Sequence, residues 1–268
     1  MASPSDRKPQ ARLRCFGVGD GWPGSNRRHA SFHYHIGNTR LVIDCGDGIS
    51  AGFTAAGLGA SEVDHLLISH MHSDHVGGFS LFIQGLWLGK RKRALHVHAP
   101  AGAIAPLQAW LQATLLPTAL LGFPIEWHPL TAARPFACGD CIVTAFPTTH
   151  LDSLRRRFAH QTPGACYDAY SFLIESGALR IAHSADIGVV RDLEPLLAAP
   201  LDLLVCELSH VSPEDLLRRL RNASMRKVVW IHLAQRWWSS RAQMRARITD
   251  ALGTGRARIA KDGDAIQV

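Results

Sequence analysis

Directly behind the apolar run Leu66-Leu67-Ile68, the segment Ser69-His-Met-His-Ser-Asp-His75 places four metal-ligand side chains within six positions. No other feature narrows the possible folds as much. Residues 70 and 72 of an extended segment point to the same side, and a turn after them can swing Asp74 and His75 toward a neighbouring position. Histidine and aspartate are the usual ligands of borderline cations such as zinc. One short loop of this kind can therefore serve two adjacent ions. A polar turn that merely happens to be rich in histidine is the alternative, but burying four ionisable groups without partners is costly. Gly77-Gly78, just beyond, lets the next helix approach closely.

Three further apolar runs end in ligand-type residues: Ile142 to His150, Leu179 through His183 to Asp186, and Val228 to His232. A lone histidine after a strand is more often structural than metallic. Three such segments in one chain point to a shared site, because sites are commonly built at strand ends.

Around these segments the pattern alternates strands and helices. Ser31–His35 and Arg40–Asp44 read as a hairpin through Gly37-Asn38. Val76–Leu88, Pro106–Leu115, Arg191–Ala198, Pro213–Asn222 and Trp238–Leu252 read as helices, the fourth with Ser212 as its N-cap. The first half runs mostly in strands and hairpins; after Tyr170, strands and helices alternate. Helices outside sheets is the simplest way to bury so many apolar strands.

A chain of 268 residues with 47% hydrophobic and 19% charged residues is an ordinary globular composition. Residues 1–10 are polar and expected to be flexible, with 11–268 as a single domain. No secretory leader and no apolar run of membrane-spanning length is read, so a cytoplasmic protein with no membrane partner is expected. Net charge is +7, with basic clusters at Lys90–Arg93, Arg155–Arg157 and Arg218–Arg221. Such a surface suits an anionic substrate, nucleic acid included, and equally suits a solvated face. Six cysteines are too sparse for a disulfide scaffold. Cys138-Gly-Asp-Cys141 has the spacing of a redox or half-zinc motif, and reads here as a hairpin turn.

His70, His72, Asp74 and His75 fill the His-x-His-x-Asp-His pattern, and in this the chain resembles the metallo-beta-lactamase superfamily. Asp44 matches that family's early strand-end aspartate, His150 its next histidine, Asp186 its bridging aspartate and His232 its last histidine. The ordered resemblance runs over roughly residues 12 to 235. It implies an α+β fold, a four-layer αββα sandwich with the site along one edge. It implies one ion held by His70, His72 and His150, another by Asp74, His75 and His232, and Asp186 between them. Asp44 and His183 would hold ligands in place rather than touch metal. Two divalent cations, zinc first and manganese or iron as alternatives, about 4 Å apart can share a hydroxide and direct it at phosphorus or a carbonyl carbon.

Asp186 stands where lactam-hydrolysing members carry cysteine. Together with Glu207 in Leu203–Leu208, it resembles the ribonuclease Z-like, transfer-RNA 3′-processing branch. Two departures stand out. The glutamate's usual downstream histidine partner is missing, leaving His210 as the nearby substitute, either a general acid or a surface histidine. The interval from His150 to Tyr170 is too short for the long arm that grips transfer RNA in that branch. Expected, then, is a phosphodiesterase for a small anionic or nucleotide substrate, with Asp74, Glu207 and His210 as catalytic candidates. Arg155, Arg156 and Arg157 are candidate phosphate contacts. RNA is a less favoured substrate, and a homodimer is an open option. Hydrolysis of an ester, lactone or thioester by the same centre, and a non-catalytic metal-binding accessory protein, are the alternatives.

Overall fold

The computed structural model describes residues 8–268. Of the stretch 1–10 expected to be flexible, residues 1–7 lie outside the described residues. Lys8 pairs with Asp202 at 2.6 Å, and the Gln10 carbonyl accepts from Gly37 N at 3.0 Å.

The chain runs β1 (Ala11–Gly17), β2 (Ser31–Ile36), β3 (Thr39–Ile43), α1 (Ile49–Ala55), β4 (His65–Leu67), α2 (Ser73–Val76) and α3 (Phe79–Leu88). Next come β5 (Leu95–Pro100), α4 (Ala101–Ala113), α5 (Thr118–Leu121), β6 (Ile125–Leu130), β7 (Pro135–Cys138), β8 (Cys141–Pro147) and α6 (Asp152–Phe158). The remainder is β9 (Tyr170–Ser176), β10 (Leu179–His183), β11 (Leu201–Leu208), α7 (Pro213–Arg221), β12 (Met225–Leu233), α8 (Gln235–Ser239), α9 (Arg241–Leu252), β13 (Ala257–Ile259) and β14 (Ala265–Gln267).

The strands form two seven-stranded sheets, ordered β14-β1-β2-β3-β4-β5-β6 and β13-β12-β11-β10-β9-β8-β7. Each is mixed. Consecutive strands β1 to β3 and β7 to β10 pair antiparallel, whereas β3 to β6 and β10 to β13 pair parallel.

Period-two burial explains how the sheets stack. Phe32, Tyr34 and Ile36 of β2 and Leu41 and Ile43 of β3 face Val143, Phe172, Leu203 and Val205 of the second sheet across a shared apolar layer. On the far side of the first sheet, Val42, Leu66 and Val97 pack under Phe53 of α1, Phe82 of α3 and Leu107 of α4. On the far side of the second, Leu204, Cys206 and Trp230 pack under Leu216 of α7 and Ile248 of α9. The result is a four-layer αββα sandwich. Of its parallel strands, β4 and β11 are buried along their whole length and read as largely apolar runs.

Several helix boundaries differ from expectation. The helix expected over Val76–Leu88 breaks into α2 and α3 at Gly77-Gly78, where a Cβ on Gly78 would stand 2.5 Å from the Gly46 carbonyl. The helix α4 begins ahead of the expected Pro106 start and takes that proline inside, because Ala103, Leu107 and Leu111 form its buried stripe. The helix expected over Arg191–Ala198 is only a 3-10 turn at Val190–Leu193, since Asp192 is committed to holding two loops, as described below. The last long helix divides at Ser240 into α8 and α9. Ser212 caps α7, its hydroxyl accepting from Asp215 N. No helix among the described residues is long and apolar enough to cross a membrane.

Candidate metal centre

Strand ends of both sheets meet at one edge of the sandwich. Asp44 follows β3, Ser69–His75 follows β4, His150 follows β8, Asp186 follows β10, and His232 lies near the end of β12. At three of these places a non-glycine residue is left-handed: Asp44 at φ 58°, Ala185 at 45° and His232 at 49°. Such backbone costs on the order of 1–3 kcal/mol per residue and persists only where its surroundings fix it. Close approach matters too: a Cβ on Gly46 would stand 2.1 Å from the Asp74 carbonyl.

The ligand-type atoms fall into two groups that share Asp186: His70, His72, His150 and Asp186, and Asp74, His75, Asp186 and His232, each within 4.8 Å. In the first, His72 Nδ1 lies 3.2 Å from His70 Nε2 and 3.1 Å from His150 Nε2. In the second, Asp74 Oδ2 lies 3.1 Å from His232 Nε2 and 3.6 Å from His75 Nε2. Asp186 Oδ2 stands between them, 3.3 Å from His75 Nε2 and 3.5 Å from His150 Nε2.

Whether these residues fit divalent cations is decided by Asp186. Its side chain is 2% exposed, and neither carboxylate oxygen has a hydrogen-bond partner; His75 Nε2, which faces it, has none either. A buried carboxylate left this way is costly unless positive charge meets it. Protons can supply part of that charge: burial lowers the pKa of His75, but Asp186 and Asp44 outweigh it and hold the ring well above the usual imidazole range. Burial instead keeps His70 well below that range and His150 down at about 3, so both present lone pairs. Imidazoles and carboxylates around one buried edge suit borderline divalent ions.

Asp44 does not face the shared point. Its Oδ1 accepts from Ser69 N at 2.7 Å, and its Oδ2 accepts from Ser69 Oγ and pairs with His75 Nδ1, both at 2.7 Å. That last bond keeps a proton on His75 Nδ1, so Nε2 is the nitrogen that would meet a cation once its own proton is displaced. Ser69 Oγ also lies 3.0 Å from His70 Nδ1. Sequence reasoning missed Ser69, whose only signal is its place immediately before the histidines. It also missed Asp192. That carboxylate's Oδ2 accepts from Thr149 N, Thr149 Oγ1, Gly188 N and Val189 N at 2.8 to 3.2 Å, pinning the loop of His150 to the loop of Asp186.

Glu207 is fully buried at the end of β11 and accepts from the backbone N–H groups of Ile187, Ser209 and His210. Its Oε1 lies 3.1 Å from His210 Nδ1, and the His210 ring stands 4.5 Å from that of His150. His183 is placed differently from expectation. It sits inside the inter-sheet layer, where Nδ1 bonds Tyr34 Oη at 2.8 Å and Phe32 packs on its ring, and it bonds none of the ligand candidates. Of the three arginines expected near phosphate, Arg155 is engaged by the Tyr167 carbonyl and Asp168, while Arg157 lies over Phe158. All three are on the exposed helix α6.

The sequence model of the Beta-lactamase superfamily domain matches residues 39–249. The chain belongs to that superfamily. This beta-lactamase superfamily protein is 30% identical over 131 residues to Ribonuclease Z of Bradyrhizobium sp. (strain ORS 278), covering 49% of this chain and 43% of that one. It spans about half the length, or less, of the curated relatives it matches. Its fold aligns over 97% of its length with the whole of the metallo-beta-lactamase fold protein YhfI from Bacillus subtilis, at TM-score 0.74 and 18% identity. It aligns over 95% of its length with 98% of the short form of human tRNase Z, at TM-score 0.73 and 17% identity.

Proposed function

We propose that the chain is a metal-dependent phosphodiesterase for a small or nucleotide phosphodiester, working with two divalent cations, zinc foremost. The observation that carries this reading is the unpartnered Asp186 carboxylate, with Oδ2 between 3.3 and 3.8 Å from nitrogens of His75, His150, His232 and His70. His70, His72 and His150 would hold one cation, Asp74, His75 and His232 the other, and Asp186 both. Bound there, such cations supply Lewis acidity to the phosphoryl oxygens and to an attacking water.

The chain's own residues supply the rest. Asp44 sets the tautomer of His75, and Asp192 keeps His150 and Asp186 at their spacing. In hydrolysis, water oxygen bonds to phosphorus, the ester P–O bond breaks, and the leaving oxygen needs a proton. His210 is positioned to give it. Burial lowers its pKa, but the Glu207 hydrogen bond and Asp186 raise it to about 9. With Nδ1 held by Glu207 and 3.8 Å from Asp186 Oδ2, the ring lies against the centre and Nε2 is the nitrogen left to give a proton.

Similarity to proteins named Ribonuclease Z supports phosphorus over a carbonyl carbon as the electrophile. The edge of the site bounds substrate size. A cavity of about 310 Å³ beside His72, lined by Met71, Leu151, Leu154 and Tyr167, suits one apolar or aromatic substituent on the phosphodiester. Helix α6 and a short loop fill the interval between His150 and Tyr170, and no projecting arm stands there among the described residues.

The test is turnover of bis(p-nitrophenyl) phosphate and cyclic nucleotides, beside a homoserine lactone and a thioester, after loading with zinc, manganese or iron. Metal-dependent cleavage of a phosphodiester is expected. Hydrolysis of only the lactone or thioester would move the centre to carbonyl chemistry. Inactivity on all of them, with no stoichiometric metal, would leave an accessory protein.

A further inference from the structure

A second group of histidines lies toward the starts of β4 and β8, whereas the centre lies beyond their ends. His65 opens β4, His96 and His98 share one face of β5, His128 faces them from β6, and Cys138 closes β7 in the opposite sheet. His65 Nδ1 is 3.2 Å from His98 Nε2, which is 3.7 Å from Cys138 Sγ, and the three ligand atoms all lie within 4.8 Å of one another. We infer that His65, His98 and Cys138 form a further metal site, for a borderline divalent cation such as zinc, joining β4 and β5 of the first sheet to the edge strand β7 of the second.

Geometry and chemistry both support it. Tetrahedral zinc, with bonds of about 2.0–2.1 Å to nitrogen and about 2.3 Å to sulfur, separates two nitrogens by about 3.4 Å and nitrogen from sulfur by about 3.6 Å. Two of the three separations, 3.2 and 3.7 Å, lie close to these, and the third is within 4.8 Å. Exposure is 8% for His65, 5% for His98 and 0% for Cys138, so the donors are already desolvated. Burial and the neighbouring histidines keep His65 down at about 4 and His98 at about 3, leaving both neutral with lone pairs to give. Burial raises the Cys138 thiol, so a cation binding there displaces that proton to solvent. A thiolate and two imidazoles exclude magnesium and calcium. The His98 ring is held between Phe136 and His128, each stacked at 4.7 Å.

Entry and the fourth position come from solvent. A cavity of about 470 Å³ reaches His65 and His98, with His96 and His128 on its wall. Glu126, 3.2 Å from His96 Nδ1, adds negative charge beside it. Cys141, across the hairpin from Cys138, is outside the three-residue group.

Cobalt(II) is the probe, because the proposed catalytic ligands contain no sulfur. A sulfur-to-cobalt charge-transfer band therefore reports a cysteine site alone. Metal-free protein loaded with cobalt and freed of excess should show that band in the near ultraviolet. The variant Cys138→Ser should lose the band and bind one cobalt fewer per chain, with phosphodiester turnover unchanged. No band in the unaltered protein, or an unchanged band and stoichiometry in Cys138→Ser, would overturn the inference and leave a hydrogen-bonded cluster. Should circular dichroism show that the variant does not fold, X-ray absorption of the zinc-loaded protein decides instead. A sulfur scatterer at about 2.3 Å supports the site, and only nitrogen and oxygen scatterers refute it.

Discussion

Replacing Asp44 by asparagine changes one atom's hydrogen-bonding sense and nothing in shape. The backbone N–H of Ser69 can only donate, so the retained oxygen stays toward it, at the present 2.7 Å. The new NH2 then occupies the place of Oδ2, which now meets both Ser69 Oγ and His75 Nδ1 at 2.7 Å. Ser69 Oγ has two lone pairs and can accept from the amide and from His70 Nδ1 together, so His70 is spared. His75 is not. Two donors cannot face each other, so in the neutral ring that a cation needs the proton would sit on Nε2, the atom that lies 3.3 Å from Asp186 and would bind the cation. Losing a hydrogen bond to a charged group costs about 1.5–3 kcal/mol. Orienting partners of metal-binding histidines are worth about 10–100-fold in affinity, the same range once converted. Titration of metal-free protein against a chromophoric chelator would resolve the two proposed ions. Asp44→Asn should weaken one of them, the one shared by Asp74, His75 and His232, by that factor. Two unchanged affinities in a folded variant, or equal weakening of both ions, would refute the tautomer argument.

Two other perturbations separate chemistry from scaffolding. His210→Ala should keep its metal content and lose about 10²–10⁴-fold in kcat on an alkyl phosphodiester, but much less with a p-nitrophenolate leaving group, which needs no proton. Equal losses on both substrates would remove His210 as the proton donor. Asp192→Ala strips the acceptor from Thr149, Gly188 and Val189. It should lower stability by about 2–4 kcal/mol in urea unfolding, and weaken both ions because His150 and Asp186 lose their common anchor; unchanged stability would count against that role.

The residues proposed as ligands stand out in the sequence because each follows an apolar strand. A polar side chain at that point has left the core and has an edge to serve. Ser69 and Asp192 could not, since what they bind depends on loops that meet only in the fold. The Ser69 hydroxyl serves a carboxylate from another strand, and Asp192 gathers residues on both sides of the site. Pro106 misled the helix reading because a proline signals a helix start, while the buried stripe of α4 decided otherwise. His96 and His98 alternate visibly in the sequence. Their partners His65, His128 and Cys138 arrive from other strands, and parallel pairing leaves no short spacing to betray them.

On the proposed assignment, each cation takes at least one ligand from either sheet. The first sheet brings His70, His72, Asp74 and His75, and the second brings His150, Asp186 and His232. Ion capture is then a late event in the life of the chain, possible only after the two layers have closed face to face. A molecule that has docked them one notch out of line would be left empty-handed and so inert, whatever the state of its individual loops.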